Sequence, residues 1–389
     1  MNAPIPLEEA WDALLALLSP LGVETVESVE AVGRILGEDL VARRTQPARD
    51  LSAMDGFACH GDGPWTIAGE SRAGTPFARP IEAGQAVRIS TGAALPDGAD
   101  RILIIEDARI DGSRLTAGEA PEPGRHIRRK GLDFAEGVAL IARGTRIDAA
   151  KLALARAAGH GALPVHLKPR VAVIECGDEL VADPAQCPPD RLPASNGAML
   201  SAMVEAAGGE PFTIGPVADE KPAMREAFAE AGDADLIVTS GGASVGEHDL
   251  VKPVLEELGA ELAFWKVAIR PGKPLMVAKW RETIVLGLPG NPVSSFVTGF
   301  LFALPAIRAL SGAADALPKA IMLPLAADVA EGGSRREFLR ARITGNGVRP
   351  IAERDSSALR ALAAADLLID RPIGVPEAKA GTPVPCYLL

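Results

Sequence analysis

The sequence predicts a multidomain α/β protein organised around a doubly wound, mostly parallel sheet. Apolar strands alternate with helical segments between residues 169 and 314, which is the pattern of such a sheet. Short β-prone runs separated by glycine and proline occupy residues 57–140 and are typical of a small β domain. Residues 315–389 are again β-prone and predict a C-terminal β-barrel-like domain.

The order of these elements predicts four domains. Helical patterns precede and follow the β-rich stretch, which therefore looks inserted into one helical or extended N-terminal domain. These patterns lie at residues 6–20, about 27–42 and 147–159. The predicted domains are the N-terminal domain (1–46 and 141–168), the inserted β domain (47–140), the central α/β domain (169–314) and the C-terminal β domain (315–389).

The charge balance argues against a nucleic-acid partner. Asp and Glu outnumber Lys and Arg by 51 to 40, which gives a net charge of -11. A negative chain repels phosphate backbones, and aromatic residues, at 4%, offer few surfaces on which bases could stack. A phosphate ligand must therefore be held by local clusters of basic side chains.

Cysteine use and the N-terminus predict a cytoplasmic protein without a membrane span. The four cysteines are scattered and form no CxxC pair, which fits a reducing compartment. The N-terminus lacks the basic region of a signal peptide. Prolines at 289, 292 and 305 interrupt the uncharged run 283–306, so we predict a strand, a loop and a buried helix there.

The stretch from Asp235 to Asp249 carries the clearest functional signal. It begins as an apolar strand, breaks at Gly241-Gly242 and leads into a helix. Backbone N–H groups at such a corner suit an anion, because glycine allows close approach and a helix N-terminus is positive. An acid at Asp249 fits a metal that bridges the anion to the protein.

The same stretch contains a match to the nucleophile elbow of hydrolases, Gly242-Ala-Ser-Val-Gly246, with Ser244 as nucleophile. His248, the last histidine of the chain, follows only four residues later and is a poor partner for that hydroxyl. A P-loop is excluded, because Gly272-Lys273 is followed by Pro274 and lacks the upstream glycine. We therefore favour anion binding over hydrolysis.

Acidic and cationic residues follow several strands of the predicted sheet. Their loops should converge beyond the carboxyl ends of the strands, where such sheets bind ligands. The acids suit a divalent metal, and the cations suit an oxyanion or a phosphate. In the alternative, structural interpretation, the acids cap helices and Lys273 pairs with one of them. The residues are Asp178, Glu179, Asp219, Asp249, Arg270 and Lys273.

Three further polar residues have simpler explanations. Asp55-Gly56 is a turn signal, so Asp55 by itself reads as a turn former. The loop at Thr91 either faces a ligand or only connects a hairpin. Asn196 is predicted to cap a helix that runs to Ala207.

Six motifs occur along the chain in a characteristic order. They are Ser52-Ala-Met-Asp-Gly-Phe57, Ile89-Ser-Thr-Gly-Ala93, Gly177-Asp-Glu-Leu180, Ser240-Gly-Gly-Ala-Ser-Val-Gly-Glu-His-Asp249, Pro271-Gly-Lys-Pro274 and Leu288-Pro-Gly-Asn-Pro-Val-Ser294. In this order and spacing the chain resembles the MoeA family, the molybdopterin molybdenumtransferases related to the gephyrin E domain. The resemblance covers nearly the whole length.

The resemblance implies an L-shaped, four-part subunit with a central molybdopterin-binding domain, usually in a homodimer whose active site uses both chains. The implied reaction takes molybdate and adenylylated molybdopterin, with Mg²⁺, to molybdenum cofactor and AMP. It also implies two kinds of protein partner, the molybdopterin adenylyltransferase of the pathway and the apo-molybdoenzymes that receive the cofactor. Neither nucleic acid nor a membrane is expected as a partner.

Site roles carry over from the family by position. Asp249, Asp55 and Lys273 are the expected catalytic residues. The expected ligands of Mg²⁺ or of the substrate phosphates are Glu179, Asp219 and Asp249. Further contacts to the pterin substrate are expected from Asp178, Ser240, Gly241, Gly242 and Ser244, with Asp55 and Thr91 approaching from the second subunit. The residues that match the oxyanion pocket for molybdate are Arg270, Lys273, Ser294, Arg335 and Ser356.

Three positions depart from the family pattern. Arg270 stands where lysine is common, which keeps the charge and changes the donor geometry. Glu175-Cys176 replaces the usual Ser-Thr, and Asp355-Ser-Ser357 lacks the usual glycines around Ser356. The alternatives to molybdenum insertion are a molybdopterin adenylyltransferase and a non-catalytic pterin-binding scaffold.

Overall fold

The structure, a computed structural model, describes residues 3–242 and 250–389. A six-stranded sheet forms the central domain. Its first four strands are parallel to one another, and its last two are antiparallel to their neighbours. In order across the sheet, the strands are Glu210–Val217, Arg170–Cys176, Leu236–Ser240, Thr283–Leu288, Met276–Trp280 and Glu261–Trp265.

Helices cover both faces of this sheet, which explains why its inner strands are apolar throughout. Val171 and Val173 join one buried cluster, whereas Ala172 and Ile174 join the other. Side chains alternate across a strand, so each face meets its own helical layer. The predicted doubly wound sheet is confirmed. Its helices are Asn196–Ala207, Lys221–Glu230, Val251–Glu257, Pro292–Thr298 and Leu304–Leu310, with a π-helical turn at Gly299–Ala303.

The segment Pro292–Leu310 is the one helix in the described part of the chain that is long and apolar enough to cross a membrane. Of its most apolar window, 83% is buried inside the protein. Leu301 and Phe302 belong to the same buried cluster as the strands of the central sheet. The segment is therefore a core helix, as its prolines and its loop predict.

The N-terminal helix, Leu7–Leu15, packs against the central domain. Leu7, Trp11 and Leu14 are buried in the same cluster as one face of the central sheet. The indole N–H of Trp11 donates a hydrogen bond of 2.7 Å to the carbonyl of Leu301. The amphipathic pattern predicts this helix correctly, whereas the division of the chain into four residue ranges stays a prediction.

The predicted helix over residues 27–42 is wrong. Gly33 takes a φ of 84°, a left-handed conformation that interrupts a right-handed helix. Strand pairing on both sides of Gly33 overrides the weak helical pattern, while helix Ala149–Ala157 is found where predicted. The two-stranded pairings are Val23–Glu27 with Ala162–His166, Leu40–Val41 with Ala139–Ile141, Leu51–Ser52 with Ile127–Arg128, and Leu180–Val181 with Leu192–Pro193.

The inserted domain is a six-stranded mixed sheet, as its β-prone runs predict. Glycine permits a close backbone contact within it. An added Cβ at Gly56 would lie 2.0 Å from the carbonyl oxygen of Leu103 on the neighbouring strand. In order, the strands are Arg101–Ile104, Gly56–Cys59, Gln85–Ile89, Trp65–Ser71, Arg114–Ala117 and Ala108–Asp111.

The C-terminal domain contains a sheet whose first strand, Ile269–Arg270, is contributed by the central part of the chain. The purely β prediction misses the short helix Leu359–Ala363, and barrel-like closure stays a prediction. In order, the strands are Ile269–Arg270, Arg336–Thr344, Leu367–Arg371, Pro383–Leu388 and Ile321–Pro324, and Gly347–Pro350 also pairs with Arg336–Thr344.

One arginine joins the N-terminal helix to the C-terminal domain. The guanidinium of Arg336 donates to both carboxylate oxygens of Asp370, at 2.7 and 2.6 Å, and also to Glu8. The Asp370 side chain is only 2% exposed, whereas that of Glu8 is 64% exposed. The hydrogen bonds to Asp370 raise the pKa of Arg336, so this guanidinium stays charged.

Replacing Arg336 with methionine should therefore lower the midpoint of thermal unfolding strongly, because Asp370 would be left as a buried, unpaired charge. We expect a loss of about 3–5 kcal/mol. Glu8→Gln is the matched control, since it removes only the exposed partner and should cost at most about 1 kcal/mol. Similar losses for the two variants would contradict this assignment of the buried pair.

Replacing Gly56 with alanine should destabilise the inserted domain, because the Leu103 carbonyl leaves no room for a Cβ. We expect a loss of about 1–3 kcal/mol, the usual range for overpacking, read as a lower unfolding midpoint. Gly118→Ala is the control in the same domain, since a Cβ there meets nothing within 4 Å. An unchanged midpoint for the Gly56 variant would refute the close approach.

Candidate active site

The carboxyl ends of the four parallel strands open into one cavity of about 570 Å³, which we call the strand-end cavity. Its walls come from the loops that follow these strands, so the predicted convergence of loops is confirmed. Six of its lining residues matter for the chemistry: Glu175, Glu179, Asn196, Asp219, Ser240 and Gly241.

Two acidic loops are tied together at one end of this cavity. The backbone N–H of Asp219 donates to the Asp178 carboxylate at 3.0 Å, and the N–H of Asp178 donates to the Asp219 carboxylate at 3.4 Å. Asp219 and Glu179 line the cavity, whereas Asp178 acts through this reciprocal contact. The pair fixes the loops in register, and it places carboxylate oxygens where a ligand can reach them.

The two glycines after strand Leu236–Ser240 have a packing reason of their own. Gly241 and Gly242 take φ values of 93° and 67°, which favour glycine. A Cβ on Gly241 would lie 2.5 Å from the carbonyl oxygen of Cys176. The glycines therefore let the neighbouring strand ends approach closely, and this brings backbone rather than side chains to the cavity wall.

Glu175 is the residue that caps helix Asn196–Ala207. Its carboxylate accepts the backbone N–H groups of Asn196 at 3.0 Å and of Gly197 at 2.7 Å. The predicted Asn196 cap is wrong, because Asn196 is the first helical residue and its side chain points elsewhere. The Asn196 amide group donates instead to the Ser240 hydroxyl at 2.9 Å and to the Gly290 carbonyl at 2.7 Å.

These contacts give Ser240 a structural partner as well as a place in the cavity. Its hydroxyl is almost fully buried and also lies 3.4 Å from that of Ser295. Burial raises the pKa of Glu175, while its two backbone hydrogen bonds act in the opposite direction. One asparagine thus links the ends of three strands, and one buried carboxylate holds that asparagine in place.

A second cavity, of about 510 Å³, lies between the central and C-terminal domains, and we call it the cationic cavity. All five residues predicted for an oxyanion pocket line it: Arg270, Lys273, Ser294, Arg335 and Ser356. Arg270 leaves the short strand Ile269–Arg270 and donates to Glu337 at 3.2 Å. The structure thus places the predicted cations and hydroxyls together, and it adds Glu337 as their acidic neighbour.

Arg340 is a functional candidate that the sequence does not single out. Its guanidinium donates to the backbone carbonyls of Glu353, Asp355 and Ala358, at 2.7, 3.1 and 3.1 Å. It therefore holds the loop that carries Ser356 against the cationic cavity. Burial lowers the pKa of Arg340. The sequence offers only a weak signal for it, because strand Arg336–Thr344 also carries Arg336 and Arg342.

The loop 355–357 lacks the glycines that are usual in the family, and hydrogen bonds within the loop hold its shape instead. The carboxylate of Asp355 accepts the Ser357 backbone N–H at 2.7 Å and its hydroxyl at 2.6 Å. Ser356 lines the cationic cavity, and its neighbour Ser357 lines the strand-end cavity. The two cavities therefore meet on opposite sides of one loop.

Asp55 and Thr91 contact each other but lie apart from both cavities. The backbone N–H and the hydroxyl of Thr91 donate to the Asp55 carboxylate at 2.7 and 3.1 Å. Both residues belong to the inserted domain, and neither lines the strand-end cavity or the cationic cavity of this chain. The structure joins the two predicted loops but places neither Asp55 nor Thr91 among the residues that line the strand-end cavity.

The acids of the strand-end cavity offer oxygen ligands that a divalent cation could use. Mg²⁺ prefers oxygen ligands and commonly uses one or two carboxylates together with substrate phosphates. Glu179 and Asp219 supply two carboxylates, although residues 3–242 and 250–389 contain no group of three or more acids, histidines or cysteines able to hold a metal alone. Asp249, the third predicted ligand, and Ser244 lie outside the described residues.

Comparison with known families covers almost the entire chain. Residues 5–159 match the MoeA N-terminal region, domains I and II. Residues 172–309 match a probable molybdopterin binding domain, and residues 322–389 match the MoeA C-terminal region, domain IV. The three matches follow one another in the order of the inserted, central and C-terminal elements described above.

Individual relatives agree with these matches. Molybdopterin molybdenumtransferase 2 of Mycobacterium tuberculosis is 34% identical over 380 residues, which cover 92% of this chain and 93% of the relative. Molybdopterin molybdenumtransferase of Haemophilus influenzae is 35% identical over 317 residues, 79% of this chain and 78% of the relative.

A solved structure extends the likeness to the whole fold. The crystal structure of the molybdopterin biosynthesis moeA protein from Pyrococcus horikoshii OT3 matches over 100% of both chains, with a TM-score of 0.86 and 25% identity. Sequence, domain order and fold therefore agree. The chain belongs to the MoeA family of molybdopterin molybdenumtransferases.

Proposed function

We propose that this protein inserts molybdenum from molybdate into adenylylated molybdopterin, with Mg²⁺, and releases AMP. The observation that carries the proposal is the cationic cavity, in which Arg270, Lys273, Arg335 and two serines share one space. That cavity adjoins the strand-end cavity, whose acids and glycine backbone suit a metal-bound phosphate. The two anionic substrates would thus meet across the loop 355–357.

The cationic cavity suits a tetrahedral oxyanion. Three cations, Arg270, Lys273 and Arg335, can donate charge-assisted hydrogen bonds to molybdate oxygens. The hydroxyls of Ser294 and Ser356 add neutral donors without any need for a nucleophile. The chain would therefore bind and orient molybdate, and the dithiolene sulfurs of the pterin would take up molybdenum.

The strand-end cavity would hold the other substrate. Glu179, Asp219 and Asp249 are the proposed Mg²⁺ ligands, and bound Mg²⁺ would neutralise charge on the phosphoanhydride as it is cleaved. The backbone at Gly241-Gly242 would approach the phosphates, because it presents no side chain to them. The AMP half would leave after cleavage.

A second subunit would complete the site. Asp55 and Thr91 are already joined to each other, and neither lines the strand-end cavity of its own chain. A homodimer that places this pair over the partner's cavity would account for both facts. We also propose that the dimer works in the cytoplasm and exchanges substrate and product with the adenylyltransferase and with apo-molybdoenzymes.

The alternative functions use fewer of these features. A molybdopterin adenylyltransferase would need the central domain alone, whereas the cationic cavity depends on Arg335 and Ser356 of the C-terminal domain. A non-catalytic scaffold would not need five cationic side chains around one cavity beside the carboxylates of Glu179 and Asp219 in the other. Both alternatives are outcomes of the following assay.

The protein incubated with adenylylated molybdopterin, Mg²⁺ and molybdate should release AMP and yield a cofactor that reconstitutes an apo-molybdoenzyme. Omitting molybdate should suppress the formation of active cofactor, and removing Mg²⁺ by chelation should suppress AMP release. If AMP is released at the same rate with and without molybdate, and no active cofactor is formed, molybdenum insertion is refuted. Tight pterin binding with no AMP release would instead indicate a scaffold.

Two substitutions should separate the halves of the site. Lys273→Ala should raise the molybdate concentration for half-maximal AMP release by about tenfold or more, since charged hydrogen bonds contribute about 1.5–3 kcal/mol.

Asp249→Ala should abolish AMP release at saturating molybdate while the protein remains folded. Lys279→Ala is the control, because that lysine pairs with Glu282 and lines neither cavity. Unchanged molybdate dependence in the Lys273 variant would refute its role.

A further inference from the structure

One wall of the strand-end cavity contains two acceptor groups, the carboxylate of Glu175 and the side-chain amide oxygen of Asn196. Glu175 and Asn196 both line the cavity, and they are 6% and 7% exposed. Their backbone and side-chain contacts hold each in a single position. This wall is separate from the acids Glu179 and Asp219, which belong to neighbouring loops.

The amide oxygen of Asn196 has no hydrogen-bond partner among the described residues, although it is buried. The oxygen and nitrogen of this amide group can be told apart. The Gly290 carbonyl can only accept a hydrogen bond, so the atom that faces it at 2.7 Å must be the amide nitrogen. The Ser240 hydroxyl accepts from the same nitrogen at 2.9 Å. A buried amide oxygen without a donor is costly, and it calls for a donor from outside the chain, either a bound water or a ligand.

The carboxylate of Glu175 also has fewer hydrogen-bond donors around it than it can accept from. Its two oxygens each accept one backbone N–H, and no lysine, arginine or histidine in the described part of the chain pairs with it. Each carboxylate oxygen can accept a further hydrogen bond. The carboxylate cannot swing away from the cavity without losing the helix cap. A Cβ at Gly197 would lie 2.6 Å from one of its oxygens, so even the helix backbone is shaped around it.

We propose that Glu175 and Asn196 read an edge with adjacent N–H donors, namely the ring N–H and the 2-amino group of a 2-amino-4-oxopyrimidine. This proposal rests on the proposed function, since a pterin carries that edge. A phosphate is repelled by the Glu175 carboxylate. Adenine fits less well, because its amino donor is flanked by acceptor nitrogens.

The wall would also set the direction in which the substrate lies. The pterin ring would face Glu175 and Asn196, and its phosphate chain would extend towards Gly241 and Asp219 on the other loops of the cavity. Glu175 and Asn196 are thus specificity-determining residues, distinct from those proposed to hold metal or molybdate.

A matched pair of small ligands tests this recognition without changing the protein. 6-Hydroxymethylpterin and 6-hydroxymethyllumazine differ at C2, where lumazine has an oxo acceptor in place of the amino donor, and consequently at N1, which carries a proton in lumazine. Fluorescence titration in the presence of AMP and Mg²⁺ should show that the wild-type protein binds the pterin about tenfold or more tightly. Equal affinities, or no binding of either ligand, would overturn the proposal.

The Glu175→Gln variant should lose most of this preference for pterin, because its amide group can no longer accept at both positions. Glu205→Gln is the control, since it removes an exposed charge outside the cavity, on the helix that Glu175 caps, and should keep the preference. AMP affinity and circular dichroism report whether the Glu175 variant is folded. If it is not, the ligand pair with wild-type protein decides.

The outcomes distinguish this proposal from the proposed function. A preference for pterin without AMP release from adenylylated molybdopterin would support the role of Glu175 and Asn196 and would contradict molybdenum insertion. AMP release together with equal pterin and lumazine affinities would leave insertion standing and remove the role of Glu175 and Asn196.

Discussion

The site depends on how closely the ends of parallel strands approach one another. Parallel strands deliver their loops to one edge of the sheet, but the loops need cross-links to form a cavity of fixed shape. Asn196 supplies two of them, to Ser240 and to Gly290, and the reciprocal bonds of Asp178 and Asp219 supply two more. Gly241 permits the approach because any Cβ would strike the neighbouring strand.

The cationic cavity depends on a different constraint, the seating of the C-terminal domain on the central one. The strand Ile269–Arg270 pairs with Arg336 and Glu337, so the loop with Lys273 begins where the C-terminal sheet begins. Arg336 also reaches Glu8 on the N-terminal helix. The orientation of the domains and the position of the cationic side chains are therefore set by the same contacts.

Local patterns were sufficient for much of the fold, and the resemblance to the MoeA family supplied part of the membership of both cavities. Alternating apolar strands and helices predicted the central sheet, and the resemblance implied the five residues that line the cationic cavity. The failures have one physical cause, which is contact between residues distant in sequence. Strand pairing replaced the helix at 27–42, and Glu175 rather than Asn196 caps the helix. Arg340 orders a loop through backbone carbonyls that no local pattern reveals.

Glu175 illustrates why such a residue points to a ligand. A serine could cap the same helix without burying a charge, whereas a carboxylate without a cation among the described residues must be desolvated. Burial raises the pKa of Glu175. A raised carboxyl pKa favours folding when the group is protonated, and that contribution is lost as pH rises through the folded-state pKa. Ionising this buried carboxyl group in the folded protein therefore costs stability. A ligand that brings two N–H donors to the wall would offset this cost when it is bound. The protein would therefore bind such ligands in preference to ligands without these donors.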